Sequence, residues 1–273
     1  MNRDAHSTTL VLLPVALVGS LINWTVFYSI QKISTFKHAF GYLSANQAIA
    51  DALHSTCFLF YFCPMVLLES ESMKTYSYHA GFFLLFCYEL SVLTHLLMSL
   101  NRFFAVFVPY HYQRIFSERN TKFMILAMWV FTGTIALWFY QYLCKFYYEE
   151  AIHFLTFTNS ELCGFIGWYG DFLKNSFIVL VMVCIDLVTV VKVRSMSRKV
   201  TRSLRSADHL RFSRREKRFL RQTVFQGAVF LLELLTYFFT PKYVENEWIV
   251  FFATSFAWVS VHAADGHVQT INR

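Results

Sequence analysis

Charge is what this 273-residue sequence is short of. Asp, Glu, Lys and Arg together make up 15% of it, where a soluble globular chain carries about 25%. With 56% hydrophobic residues and 31 Phe, that shortage excludes a soluble globule and points to a protein built for a bilayer. Chemistry-bearing motifs are missing too. No Gly-rich phosphate loop, HExxH helix, CxxC pair or GxSxG elbow occurs, so nothing reads as an enzyme, and no metal or cofactor is expected. Internal repeats and low-complexity tracts are also absent from the sequence. A net charge of +7 would suit nucleic acid only if the basic residues shared a soluble face. They lie in short loops instead, so no nucleic-acid partner is expected.

What the chain has in quantity is long apolar runs. A hydrocarbon core of ~30 Å takes about 20 residues of helix. Seven stretches reach that length, at roughly 10–30, 40–62, 79–103, 123–143, 172–193, 219–240 and 248–270. The expected fold is an all-α membrane protein, a seven-transmembrane helix bundle forming one domain over residues 1–273. The first run is too long and too weakly flanked for a cleaved signal peptide and reads as an uncleaved anchor. Lys and Arg near the span ends set the orientation. With the N-terminus outside, 19 of the 24 fall on the cytoplasmic side, 12 of them between Lys192 and Arg221, and 5 fall outside. Nine acids lie outside, three inside and five within spans. An odd number of crossings leaves the C-terminus cytoplasmic.

Ionisable groups inside a bilayer are costly and face the bundle interior, which makes each a functional candidate. The five acids are Asp51, Glu89, Asp186, Glu233 and Asp265; paired or neutral helix glue is the plainer reading for each. In the third span, Tyr88, Ser91 and His95 fall within roughly 40° of Arg102 on a helical wheel. Glu89 points about 140° away, toward a different neighbour. The second span aligns Gln47, Asp51, His54 and Ser55, continued by Phe58, and the seventh aligns Trp258, His262, Asp265 and Gln269. Gly19 and Asn23, four apart in the first span, would let a neighbouring backbone approach beside one amide. Four helices thus offer inward polar stripes that could form a hydrated network across the midplane. Arg102 ends one stripe at the cytoplasmic face, where a snorkelling anchor is the plain alternative.

Here the residues resemble a known family. "SLNRFFAVFVP" looks like the cytoplasmic end of the third helix in rhodopsin-like G-protein-coupled receptors, whose Arg is followed seven residues later by Pro, as are Arg102 and Pro109. Asn23 in "GSLIN", Asp51 in "AIAD", Trp129 and Ser91 resemble that group's first-, second-, fourth- and third-helix polar or aromatic positions. The segments "GYLSANQAIAD", "FLFYFCPMVL", "SVLTHLLMSLNRFFAVFVPYHYQRIFS" and "WVSVHAADGHV" are similar to the nematode serpentine chemoreceptors of class X, over nearly the whole chain. The resemblance implies a plasma-membrane receptor on chemosensory neurons and their cilia. It further implies activation by a small environmental molecule and coupling to a heterotrimeric G protein. Asn101, Arg102, Phe103 and Pro109 would form the coupling end, and Asn23, Asp51, Ser91, His95, His262 and Asp265 the inner polar network.

The sequence also departs from the rhodopsin-like pattern. Asn101 stands where most such receptors have an acid, so the resting lock on Arg102 should be weaker. "HAADGHV" replaces Asn-Pro-x-x-Tyr in the seventh span, and the sixth lacks the Cys-Trp-x-Pro switch. Ser77 occupies the place of the family's third-helix cysteine. Cys63, Cys144 and Cys163 lie on the oxidising side; Cys144–Cys163 would staple the second outer loop, with Cys63–Cys163 as its rival. Candidates for ligand contact are Tyr88, Glu89, Trp168 and Tyr169, with Glu233, Tyr237, Trp248 and Phe252, although aromatics at such depths also form the interfacial belt. The sequon at Asn23 falls inside a span and should be unused. The basic loop between the fifth and sixth spans suits a G-protein surface or anionic lipid equally. An ion channel or transporter, or a non-signalling decayed receptor, remains the alternative function.

Overall fold

The computed structural model describes the backbone over residues 3–33, 37–150, 154–201 and 207–271, and side chains over 6–33, 37–150, 154–196 and 225–265. Arg273 lies outside those residues, as do the side chains of Gln269 in the seventh-span stripe and of most of the basic third inner loop. Seven long helices are described. α1 is Arg3–Lys32, α2 Ala39–Leu67, α3 Ser77–Phe107, α4 Glu118–Leu143, α5 Glu161–Met196, α6 Ala207–Tyr243, and α7 runs from Glu247–Phe251 through to Ala257–Ile271. All but α6 are long and apolar enough among the described residues to cross a membrane. The first part of α6 belongs to the basic run, and its apolar stretch begins near residue 219.

Local chemistry sets the helix ends. Ser117 and Ser160 accept hydrogen bonds from the backbone amides of Asn120 and Cys163, opening α4 and α5. Asn246 caps α7 through the amides of Trp248 and Ile249, meeting donors that a helix start otherwise leaves bare. α3 stops at Phe107 because Val108 precedes Pro109, which disfavours helical backbone before it. Pro109 then opens a short helix to Ile115.

α3 is the central post. It packs against α2, α4 and α5, while α1 packs on α2 and α7, and α6 on α5 and α7. Close approach needs small residues where backbones meet. A Cβ on Gly19 would lie 2.7 Å from Ala263 Cβ and 3.1 Å from its Cα, so α1 and α7 pack at a separation only glycine allows.

Between α4 and α5 the chain forms a hairpin that the sequence reading did not anticipate. β1 (Phe146–Glu149) pairs antiparallel with β2 (Phe154–Phe157), Phe146 opposite Phe157 and Glu149 opposite Phe154. Cys144 is joined to Cys163 across its base, and Cys63 is a buried free thiol. Ser77, at the foot of α3, accepts a hydrogen bond from the Tyr148 amide at 3.1 Å. The hairpin is thus tied to the third helix through the Ser77 hydroxyl. Tyr237 of α6 donates to the Leu155 carbonyl at 2.9 Å. Burial under this lid pushes the Tyr148 phenol up to about 12. Four π-helical segments, Phe58–Phe62, Leu137–Leu143, Ile166–Leu173 and Phe252–Phe256, all fall at the hairpin end of their helices, and such segments gather at functional sites.

Candidate functional site

Beneath the hairpin lies a small cavity. α3 contributes Tyr88, α5 Asp171, α6 Glu233 and Tyr237, α7 Trp258, and the hairpin lowers Phe146 onto it. Phe146 and Trp258 meet edge to face with ring centroids 5.9 Å apart, and Tyr88 meets Trp258 similarly at 6.1 Å. The walls are therefore aromatic, with two carboxylates set among them.

Deeper in the bundle, α1, α2, α3, α6 and α7 converge on two buried His–Asp pairs. His262 Nδ1 lies 2.7 Å from Asp51 Oδ1, and Asp51 also accepts from Gln47 Nε2 at 2.9 Å and Ser91 Oγ at 3.1 Å. His95 Nε2 lies 2.9 Å from Asp265 Oδ2, whose other oxygen accepts from Gln226 Nε2 at 2.9 Å. Asn23 donates to the Gly19 and His262 carbonyls, both at 3.0 Å. Asp51 and His262 are fully buried. A carboxylate in such surroundings is tolerated because several donors converge on it. His54 lies tilted against His262 at 4.0 Å and edge to face with Trp258 at 4.8 Å, linking this network to the cavity wall.

At the far end of α3, Arg102 meets Asp186 of α5. Arg102 Nη2 donates to both Asp186 oxygens, at 2.8 and 2.9 Å, and Nε to one of them at 3.2 Å. Ser99 bridges the pair, accepting from Nη2 at 2.8 Å and donating to Asp186 at 2.9 Å. Asp186 is buried and Arg102 nearly so, giving a charge-assisted clasp with little water around it. Asn101 instead donates to the Tyr112 hydroxyl at 3.2 Å, on the short helix that Pro109 begins. The acid that Asn101 does not supply beside Arg102 comes from α5 instead.

A bundle wrapped around α3, with a hairpin over one end, also has a counterpart of known structure. The chain superposes on a crystal structure of squid rhodopsin with a TM-score of 0.74, covering 99% of this chain and 81% of that one. Identity is 14%, so this is a likeness of fold alone. The family model described as serpentine type 7TM GPCR chemoreceptor Srx matches residues 13–272. The chain belongs to the Srx family. Two Caenorhabditis elegans relatives are similar along most of their length. Serpentine receptor class X 45 is 29% identical, over 94% of this chain and 75% of the relative, and serpentine receptor class X-43 is 28% identical, over 91% and 78%. This Srx protein is therefore a GPCR-type, multi-pass membrane receptor, a class that is not enzymatic.

Within this Srx chain the six residues expected of the inner polar network do come together. Of the ligand candidates, Tyr88, Glu233 and Tyr237 line the cavity and the others do not. Glu89 faces α5, where Lys174 and Asn175 donate to it, with Tyr140 at 3.5 Å. Trp168 packs against Phe172, Phe238 and Phe239, under Lys242. Tyr169 is exposed, and Trp248 stacks on Phe252, itself half exposed. Phe103 stacks on Phe107 at 4.4 Å beside Arg102, and Pro109 is exposed. Sequence reasoning missed Asp171, taken as an outer-loop acid, along with Phe146, Gln226 and the role of Asp186. For Asp186 a signal existed: it lies six residues before the basic run opens at Lys192, at a depth comparable to Arg102.

Proposed function

We propose that this Srx protein is a chemosensory receptor that binds a small environmental molecule in the cavity beneath the hairpin and activates a heterotrimeric G protein at the Arg102 end. In this reading residues 1–273 act as one receptor domain in the plasma membrane of sensory neurons, at their cilia, with the N-terminus outside and the C-terminus in the cytoplasm. The observation that carries it is the Arg102–Asp186 clasp between α3 and α5, at the opposite end of α3 from the cavity. Occupancy of the cavity favours one of two packings of the bundle. The His–Asp pairs between the two ends are buried contacts that any shift of α7 against α2 and α3 must rearrange. Release of Arg102 from Asp186 then frees a groove beside α3, α5 and α6 for a helix of the G protein. Anionic lipid around the basic loop between α5 and α6 supports the same docking.

Nucleotide exchange on a panel of Gα subunits, in membranes carrying the receptor and exposed to environmental extracts, tests this reading. Extract-stimulated exchange that disappears in Arg102→Ala, with surface expression kept, is the expected result. Equal exchange in the two proteins would remove Arg102 from the coupling role.

A further inference from the structure

The cavity under the hairpin holds two carboxylates and, among the described residues that line it, no Lys, Arg or His. Asp171 Oδ1 accepts from Asn175 Nδ2 at 2.9 Å. The neighbouring Lys174 is turned onto Glu89 and is not among the residues that line the cavity. Glu233 is 6% exposed, and its Oε2 is buried without a hydrogen-bond partner. The hydroxyl of Tyr88, a residue 3% exposed, is likewise without one. A buried carboxylate oxygen left unpaired is costly, and a donor carrying positive charge is the group that relieves the cost most. The rest of the lining favours the same visitor. Tyr88, Phe146, Tyr237 and Trp258 line it with aromatic rings, a kind of side chain whose π-face attracts a cation.

We infer that the cavity takes a small organic cation: an ammonium group placed between Glu233 and Asp171, carried on an aromatic or short apolar body that lies against Phe146 and Trp258. The cavity is small, well below the ~300–1,000 Å³ of common ligand sites, so the body is small. An anionic ligand of the same shape would find no Lys, Arg or His among the described residues that line the cavity. A bare metal ion is disfavoured, since no group of three or more His, Cys, Asp or Glu suited to a metal occurs among the described residues. The inference deepens the receptor reading and rests on it for the claim that an occupied cavity signals; the binding itself rests on the cavity.

The test uses the full chain in lipid nanodiscs and reads thermal unfolding. The probes are phenethylamine and a panel of shorter and longer primary amines, each against its alcohol and carboxylate counterparts. The amine raises the midpoint of the wild type, while alcohol and carboxylate do so weakly or not at all. In Glu233→Gln, which keeps size and shape, apparent affinity for the amine falls about tenfold or more. Asp171→Asn is the second variant should the first fail to fold, with a loss in the same direction. The inference is overturned if no amine in the panel exceeds its alcohol, or if the amine binds the folded variants as tightly as the wild type. Nucleotide exchange in the same preparations separates the two claims. A Glu233-dependent shift without exchange on any Gα would sink the signalling reading and leave the cation site standing. Exchange driven by an alcohol or carboxylate but by no amine would do the reverse.

Discussion

At Arg102 the guanidinium is held by a carboxylate from another helix, not by the residue before it, and the consequences are specific. Removing one partner of a buried ion pair leaves the other charge uncompensated, at a cost of about 3–5 kcal/mol, so Asp186→Ala and Arg102→Ala should both destabilise the protein, with Ser99 keeping one hydrogen bond to whichever partner remains. Asp186→Asn is the informative change, because it preserves shape and weakens the clasp. Agonist-independent nucleotide exchange should rise several-fold in that variant, and an unchanged basal rate at equal surface expression would mean the clasp does not restrain activation. The His95–Asp265–Gln226 cluster makes a second, separate point. Asp265→Ala strands two buried donors, at about 1–3 kcal/mol each, whereas Asp265→Asn keeps an acceptor. The unfolding midpoint should therefore fall further for Ala than for Asn; equal falls would show the carboxylate's charge alone to be what matters. Helical spacing sufficed to place Arg102, His95 and Ser91 on one face of α3. It could not name Asp186, because a wheel gives the direction a side chain points and not what another helix brings to meet it.

The elements that position the site divide into those a period reveals and those it does not. Runs of about 20 apolar residues made the long helices plain. The hairpin escaped notice because its strands are four residues each, too short for an alternating pattern, and no Asn-Gly or Asp-Gly turn joins them. Helical wheels also lose phase at the π segments, where bonding reaches one residue further. Trp168, Tyr169 and Phe252 lie inside such segments, and none of them lines the cavity that ordinary spacing suggested. The hairpin's seat on α3 is sharply testable. A Cβ at Gly81 would stand 1.9 Å from the Phe146 carbonyl oxygen, a backbone atom that cannot swing aside, whereas at Gly164 nothing lies within 4 Å. Gly81→Ala should lift Phe146 from the cavity and lower the unfolding midpoint by several degrees, while Gly164→Ala should be neutral or gain up to about 1 kcal/mol from helix propensity. A Gly81→Ala protein as stable as the wild type would remove the hairpin's tight seat from the account. Loss of the Cys144–Cys163 link, which closes a separation of 19 residues, should cost about 3 kcal/mol, read as a lower midpoint in Cys144→Ser.

Over the whole molecule, the Lys and Arg distribution gives the proposed function its direction. A G protein is cytoplasmic, so a coupling role for Arg102 requires its end of the bundle to face inward. The bias of 19 to 5 argues for that placement, because loops rich in Lys and Arg are retained on the cytoplasmic side. The cavity and its hairpin then face the medium from which an environmental molecule arrives. On that placement the disulfide would stand on the oxidising side, where such bonds persist. A glycosylation tag on a short spacer ahead of Met1 decides the matter in one gel shift. The background is clean: the chain's single sequon, at Asn23, is fully buried in α1 with its amide donating to Gly19 and His262. The N-terminal tag should therefore be the one modified site, and the same tag placed after Arg273 should stay bare. The opposite pattern would put Arg102 outside the cell, beyond the reach of any G protein. The signalling proposal would fall with it, while the cation site, which depends only on the cavity's own walls, would remain to be tested from the other face.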